Sequence, residues 1–97
     1  MPTYIRTAAF MKDYLALDPD DRARFRRVAL AQFTPDLAAG RFRSGLRVKG
    51  VRGVPGVFEM TWAPDGRATF RYGGEQVPGQ PHIVWRRVGT HDIFRQA

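Results

Sequence analysis

The segment His82-Ile83-Val84-Trp85-Arg86-Arg87-Val88-Gly89-Thr90-His91-Asp92-Ile93-Phe94 places chemistry-bearing side chains at the end of an apolar run. Arg86 and Arg87 carry planar forks that match phosphate oxygens. His91 is one of only two histidines in the chain, and histidine is the side chain whose ordinary pKa suits proton transfer near neutral pH. A strand, a glycine turn and a histidine in this order suggest a site that binds phosphate and moves a proton.

The charge distribution points the same way. Residues 1–40 hold six basic and five acidic side chains, whereas residues 41–97 hold ten and four, and fourteen of the sixteen basic residues are arginine. A cationic second half favours a polyanionic partner, because fixed cations displace the counterions condensed on nucleic acid and steer its approach. The chain has no cysteine, which excludes a disulfide framework and a thiolate metal site. Two histidines are a poor basis for a zinc centre, so neither metal nor small-molecule cofactor is expected. No apolar run approaches the length of a bilayer span, and the expectation is a soluble cytoplasmic protein without membrane partners.

These side chains need a scaffold, and 97 residues suit a single domain with one modest core. Thr3 to Arg6 reads as a short strand. Thr7 is placed to cap a helix with Phe10, Met11, Tyr14 and Leu17 on one face. Asp18-Pro19-Asp20-Asp21 opens a second helix, with Asp18 as cap and the acids at its positive end. Phe25, Val28, Ala29 and Phe33 form its apolar stripe; Thr34-Pro35 restarts or continues it, and Gly40 stops it. Beyond Gly40 the period becomes alternating. Leu46-Arg47-Val48-Lys49 begins a strand, and Val57–Ala63 and Arg67–Tyr72 flank a tight Pro64-Asp65-Gly66 loop. Pairing Trp62 with Ala68, Met60 with Phe70 and Phe58 with Tyr72 makes one face apolar. The other carries Glu59, Thr61, Arg67, Thr69 and Arg71, with Glu59 opposite Arg71. Trp62 and Trp85 fall on the core side, and His82 is a strand-edge residue with no evident partner. The architecture predicted is α+β: a short N-terminal strand, a helical hairpin, then an antiparallel sheet of about four strands with the helices on one face.

Several motifs in this order resemble the RelE/ParE superfamily of toxins from type II toxin–antitoxin pairs. They are Lys49-Gly50-Val51-Arg52-Gly53 followed by Val57-Phe58-Glu59-Met60, then Asp65-Gly66-Arg67-Ala68-Thr69-Phe70, then Val88-Gly89-Thr90-His91-Asp92-Ile93-Phe94. The resemblance spans nearly the whole chain as one domain, residues 1–97. It implies a RelE-like fold and, for the RelE/YafQ-like branch, a metal-independent, ribosome-dependent endoribonuclease that cuts messenger RNA and is held inactive by a cognate antitoxin.

Cutting RNA without a metal requires help for the attacking 2′-OH, neutralisation of charge on the phosphoryl oxygens and assistance to the departing 5′-oxygen. The resemblance assigns Arg67 to transition-state charge, Lys49 to the phosphate or 2′-oxygen, and His91 to general acid or base catalysis. It makes Phe94 a ring that stacks on a base. Arg71 and Arg86 widen the phosphate-binding surface, with Arg47 at its edge. RelE itself uses several lysines and a terminal aromatic hydroxyl, whereas this chain has only Lys12 and Lys49 and ends this motif in Phe94, which shifts weight to His91. Two other readings share the fold: a ParE-like toxin that poisons DNA gyrase by binding, and a catalytically weak relative that chiefly binds antitoxin or RNA.

Overall fold

The computed structural model describes residues 1–96. Strand β1 (Thr3–Arg6) leads into helix α1 (Ala8–Ala16) and helix α2 (Pro19–Val28). Thr7 caps α1 by accepting from the Phe10 N–H at 3.0 Å, and Asp18 caps α2 by accepting from the Asp21 N–H at 2.9 Å. Pro19 stands in the first turn of α2, where a missing N–H costs nothing.

Helix α2 runs through a π turn at Ala29–Phe33 into helix α3 (Thr34–Ala39). A proline in a helix clashes with the carbonyl one turn earlier. The widened turn just before Pro35, in which the Thr34 N–H reaches back to the Ala29 carbonyl, lets the chain pass that residue without a break. Gly40, at φ 76°, ends the helix in the left-handed conformation.

Strands β2 (Lys49–Gly50), β3 (Val57–Thr61), β4 (Gly66–Gly73) and β5 (His82–Thr90) complete a five-stranded sheet in the order β1-β5-β4-β3-β2. A C-terminal 3₁₀ turn follows at His91–Gln96. The predicted α+β layering and four-stranded antiparallel region are present, and the N-terminal strand joins them in parallel, Thr3 opposite His82 and Arg6 opposite Trp85. The sheet is therefore mixed.

Three local expectations differ from the structure. Leu46 does not begin a strand: it closes a 3₁₀ turn at Ser44–Leu46, 1% exposed, and Arg47 follows at φ 50°. Burying Leu46 in the core takes that segment off the ladder, and pairing starts only at Lys49. The β3–β4 register is displaced by two residues, with Met60 opposite Ala68 and Phe58 opposite Phe70. The faces are preserved because side chains alternate with period two. The cause is Gly66, which lies under the Trp62 ring so closely that an added Cβ would stand 2.6 Å from it, while Trp62 Nε1 donates to the Arg67 carbonyl at 3.0 Å. Gly66 is thus a strand residue, and the turn is Ala63 to Gly66, closed by the Gly66 N–H to the Ala63 carbonyl. Finally, His82 has a partner: it is buried, with Nδ1 2.7 Å from the Thr3 hydroxyl across the parallel pair.

The core lies between the helices and one sheet face. Phe33 packs 5.0 Å from both Phe70 and Trp85, and Phe25 stands edge-on to Trp85 and Trp62. Trp62 and Trp85 are both buried, as their alternation predicts.

Candidate functional site

The face of the sheet away from the helices carries the sequence-predicted residues. Alternation and pairing put Lys49, Glu59 and Thr69 in one row, Thr61, Arg67 and Gly89 in the next, and Val57, Arg71 and Val84 in a third. Glu59 does not oppose Arg71, as the displaced register makes clear; its charged neighbour is Lys49, Nζ to Oε1 3.9 Å.

Strand β5 contains an irregularity that sets where its two arginines lie. Phe70 pairs with Trp85 but Thr69 pairs with Arg87, so Arg86 is an extra residue opposite the Thr69–Phe70 step. The distortion sits where β1 ends and α1 begins. Thr7 donates its hydroxyl to the Arg86 carbonyl at 2.9 Å, and Asp13 of α1 accepts from the Val88 N–H at 3.2 Å and from Arg87 Nε at 2.5 Å. Asp13 thereby satisfies the outer edge of β5, and Arg87 is committed to structure. Arg86 is half-buried at the bulge.

Beyond Thr90 the chain turns back over the open face. Ile93 is buried against Gly89, and a Cβ on Gly89 would lie 2.9 Å from Ile93 Cγ2. This anchored 3₁₀ turn presents His91, whose Nδ1 lies 2.6 Å from Asp65 Oδ1 in the β3–β4 turn. A carboxylate acceptor requires the proton on Nδ1, so the other nitrogen, Nε2, is the one that exchanges protons with a substrate. The hydrogen bond to Asp65, reinforced by the charges of Asp65 and Asp92 and opposed by Arg67, raises the His91 pKa above 6.5; the same bond lowers that of Asp65. Both groups are exposed. Phe94 follows at three residues, where 3₁₀ geometry stacks side chains on one side, and it is half-buried.

Arg67 curls over its own turn, donating from Nη1 to the carbonyls of Gly66, Pro64 and Ala63 at 2.9, 3.3 and 3.4 Å. Its Nε and Nη2 make no hydrogen bond among the described residues. Arg71 is exposed four residues further along β4, on the same face. Arg47 goes elsewhere: it lines a recess with Arg24 and Gln32 of the helical region and with Thr61 and Pro64 at the end of β3.

The structure thus brings Arg67, His91 and Phe94 to one end of the open face, with Lys49 and Arg71 along it and Arg86 at the bulge. Sequence reasoning misses Asp65, which is read only as a turn residue. The available signal is the antiparallel pairing of β4 with β5, since Gly66 opposite Thr90 makes Asp65 and His91 neighbours. Among the described residues no helix is long and apolar enough to cross a membrane.

No protein-family model matches the sequence, and no curated protein does either. Solved structures share the fold. A histidine-to-glutamine variant of YafQ from E. coli superposes with a TM-score of 0.70 at 12% identity, covering 95% of this chain and 96% of that one. The RelBE2 toxin–antitoxin complex from Mycobacterium tuberculosis gives 0.66 at 20% identity, covering 94% and 100%. A YoeB/ParE toxin from Agrobacterium tumefaciens gives 0.63 at 15% identity, covering 92% and 98%. The RelE/ParE-type fold expected from the motifs is the fold observed.

Proposed function

We propose that this chain, built on the fold of the YafQ, RelE and YoeB/ParE toxins, is the toxin of a toxin–antitoxin pair and acts as a metal-independent, ribosome-dependent endoribonuclease on messenger RNA. The observation that carries the reading is the Asp65–His91 pair beside Arg67 at the end of a basic sheet face. A gyrase-directed binder has no need of an oriented, proton-bearing imidazole there.

In this reading the phosphate to be cut sits on Arg67, whose guanidinium exchanges its turn carbonyls for phosphoryl oxygens and neutralises charge that grows in the transition state. Lys49 adds a second positive charge on the same face. His91, protonated at Nε2 and held by Asp65, donates a proton to the departing 5′-oxygen. Phe94 stacks on an unpaired base next to the break. Arg71 and Arg86 hold neighbouring phosphates, and Arg47 with Arg24 extends the positive surface round the end of the sheet. The cognate antitoxin is the expected partner, with acidic groups meeting Arg22, Arg26 or Arg86.

Controlled expression with parallel labelling of protein and DNA tests the proposal. A rapid arrest of amino-acid incorporation, relieved by Arg67→Ala and by His91→Ala, is expected. An arrest of thymidine incorporation first, unchanged in His91→Ala, would instead assign the chain to gyrase, and no arrest of either would make it a binding relative.

A further inference from the structure

Around the end of the sheet from Arg67 lies a recess of about 360 Å³. Helix α2 and the π turn that follows it supply Arg24 and Gln32, from one face of the helix. Arg47 and Thr61 come from the sheet side, and the Ala63–Pro64 turn forms the lip. No acidic side chain lines it, and neither Arg24 nor Arg47 makes a hydrogen bond or an ion pair among the described residues.

Arg47 is held there against its backbone preference. It is the one non-glycine residue at positive φ among the described residues, at 50°, and the other such positions are all glycine. Left-handed backbone is unfavourable for a residue with a Cβ. Glycine would suit the turn better, so the guanidinium answers to something other than the fold. Two like charges gathered at one recess without a counter-charge also repel each other, a conflict that ends when an anion enters between them.

We propose that this recess is a second phosphate site, engaged by RNA outside the bond that is cut. The inference rests on the RNA-binding half of the reading above and not on cleavage. Continuity with the open face favours RNA over an acidic protein segment. Thr61 lines the recess and is also the ladder partner of Arg67, so their side chains are neighbours. The Ala63 and Pro64 carbonyls that Arg67 engages belong to the lip. A strand whose phosphate lies on Arg67 thus runs past Thr61 into the recess. The chemistry agrees: guanidinium forks suit phosphate oxygens, and Gln32 and Thr61 each donate and accept. A ribose hydroxyl between two phosphates uses both capacities, whereas a carboxylate uses only donors.

The test is the affinity of the full chain for oligoribonucleotides made uncleavable by a 2′-deoxy sugar at the cut. It is measured against salt for wild type, Arg24→Gln, Arg47→Gly and the double variant. Arg47→Gly should melt close to wild type, because relief of the left-handed backbone offsets the freedom that glycine gains in the unfolded chain. For strands extending several nucleotides on both sides of the cut, the double variant is expected to bind about 10-fold more weakly, with a salt slope shallower by about 0.7 for each phosphate released. A dinucleotide spanning only the cut should bind wild type and double variant alike. Ribosomes without message are assayed in parallel, and a loss confined to them keeps the site and assigns its phosphates to ribosomal RNA. Equal affinity of wild type and double variant for both RNAs overturns the proposal. If the double variant then loses a glutamate-rich peptide that wild type binds, the recess is a protein contact instead. Weaker RNA binding with an unchanged salt slope also overturns it. Because the probe is not cut, a wild-type protein that cleaves no message but shows the expected differences refutes the nuclease reading and leaves the phosphate site standing.

Discussion

Gly89→Ala separates the positioning of His91 from the stability of the domain. The added Cβ would stand 2.9 Å from Ile93 Cγ2, against the 3.4 Å at which ordinary contact begins. Ile93 is buried and branched at Cβ, so the 3₁₀ turn as a whole must retreat by about 0.5 Å. Displacement of that size stretches the 2.6 Å bond from His91 to Asp65 towards the weak end of the hydrogen-bond range. Since that bond is the largest cause of the raised His91 pKa, the pKa should fall back towards 6.5. Stability should change little, because alanine in a strand gains about 0.5–1 kcal/mol over glycine and offsets part of the strain. The assay is an NMR titration of the His91 ring protons, with urea unfolding alongside, and cleavage should fall by about 10-fold to 100-fold. Adding Ile93→Leu, which removes the offending Cγ2 methyl, should restore both the titration and the rate. A Gly89→Ala protein whose His91 titrates as in wild type would refute the claim that this contact aims the imidazole.

Asp65→Asn should lower the His91 pKa and move the alkaline fall of the rate profile to lower pH; an unmoved profile would show that His91 does not act as the acid. Because the folded pKa of His91 is raised, its bond to Asp65 stabilises the fold fully below 6.5 and ceases to do so as pH rises through the folded value. The melting temperatures of wild type and Asp65→Asn should therefore converge towards pH 9. Asp36 shows the opposite sign: hydrogen bonds from the Arg43 side chain and backbone lower its pKa from 3.8 to about 2, so its contribution is present above 3.8 and disappears as pH falls through about 2. A melting-temperature difference between wild type and Asp36→Asn that stays constant down to pH 2 would contradict this. Phe33→Ala, at a site 0% exposed among Phe70, Trp85 and Phe42, should cost about 3–5 kcal/mol by urea unfolding. A loss below about 1 kcal/mol would mean that the three rings do not form a common core.

What the sequence reveals here is what local chemistry decides. Thr7, Asp18 and Gly40 mark helix ends because a cap answers to backbone groups a few residues away. The basic open face follows from strand alternation alone. The details that escape depend on contacts between distant segments. The hairpin slips by two residues because Gly66 must lie under the Trp62 ring, and nothing in the local pattern records that approach. His82 acquires Thr3 only when the first and last strands pair. Asp65 and His91, 26 residues apart, become a pair only through the β4–β5 ladder.

The position of β5 also governs when the molecule can exist at all. It is the last strand made, yet it stands between β1 and β4 and contributes the ladder to both. Until residues 82–90 have left the ribosome, β1 has nothing to pair with and one side of β4 is bare. The turn bearing His91 follows later still. Contacts that span nearly eighty residues make folding wait for the whole of this segment and slow it. The five-stranded sheet and the turn that carries His91 are thus completed together, and a ligand that needs both meets them only after β5 has docked.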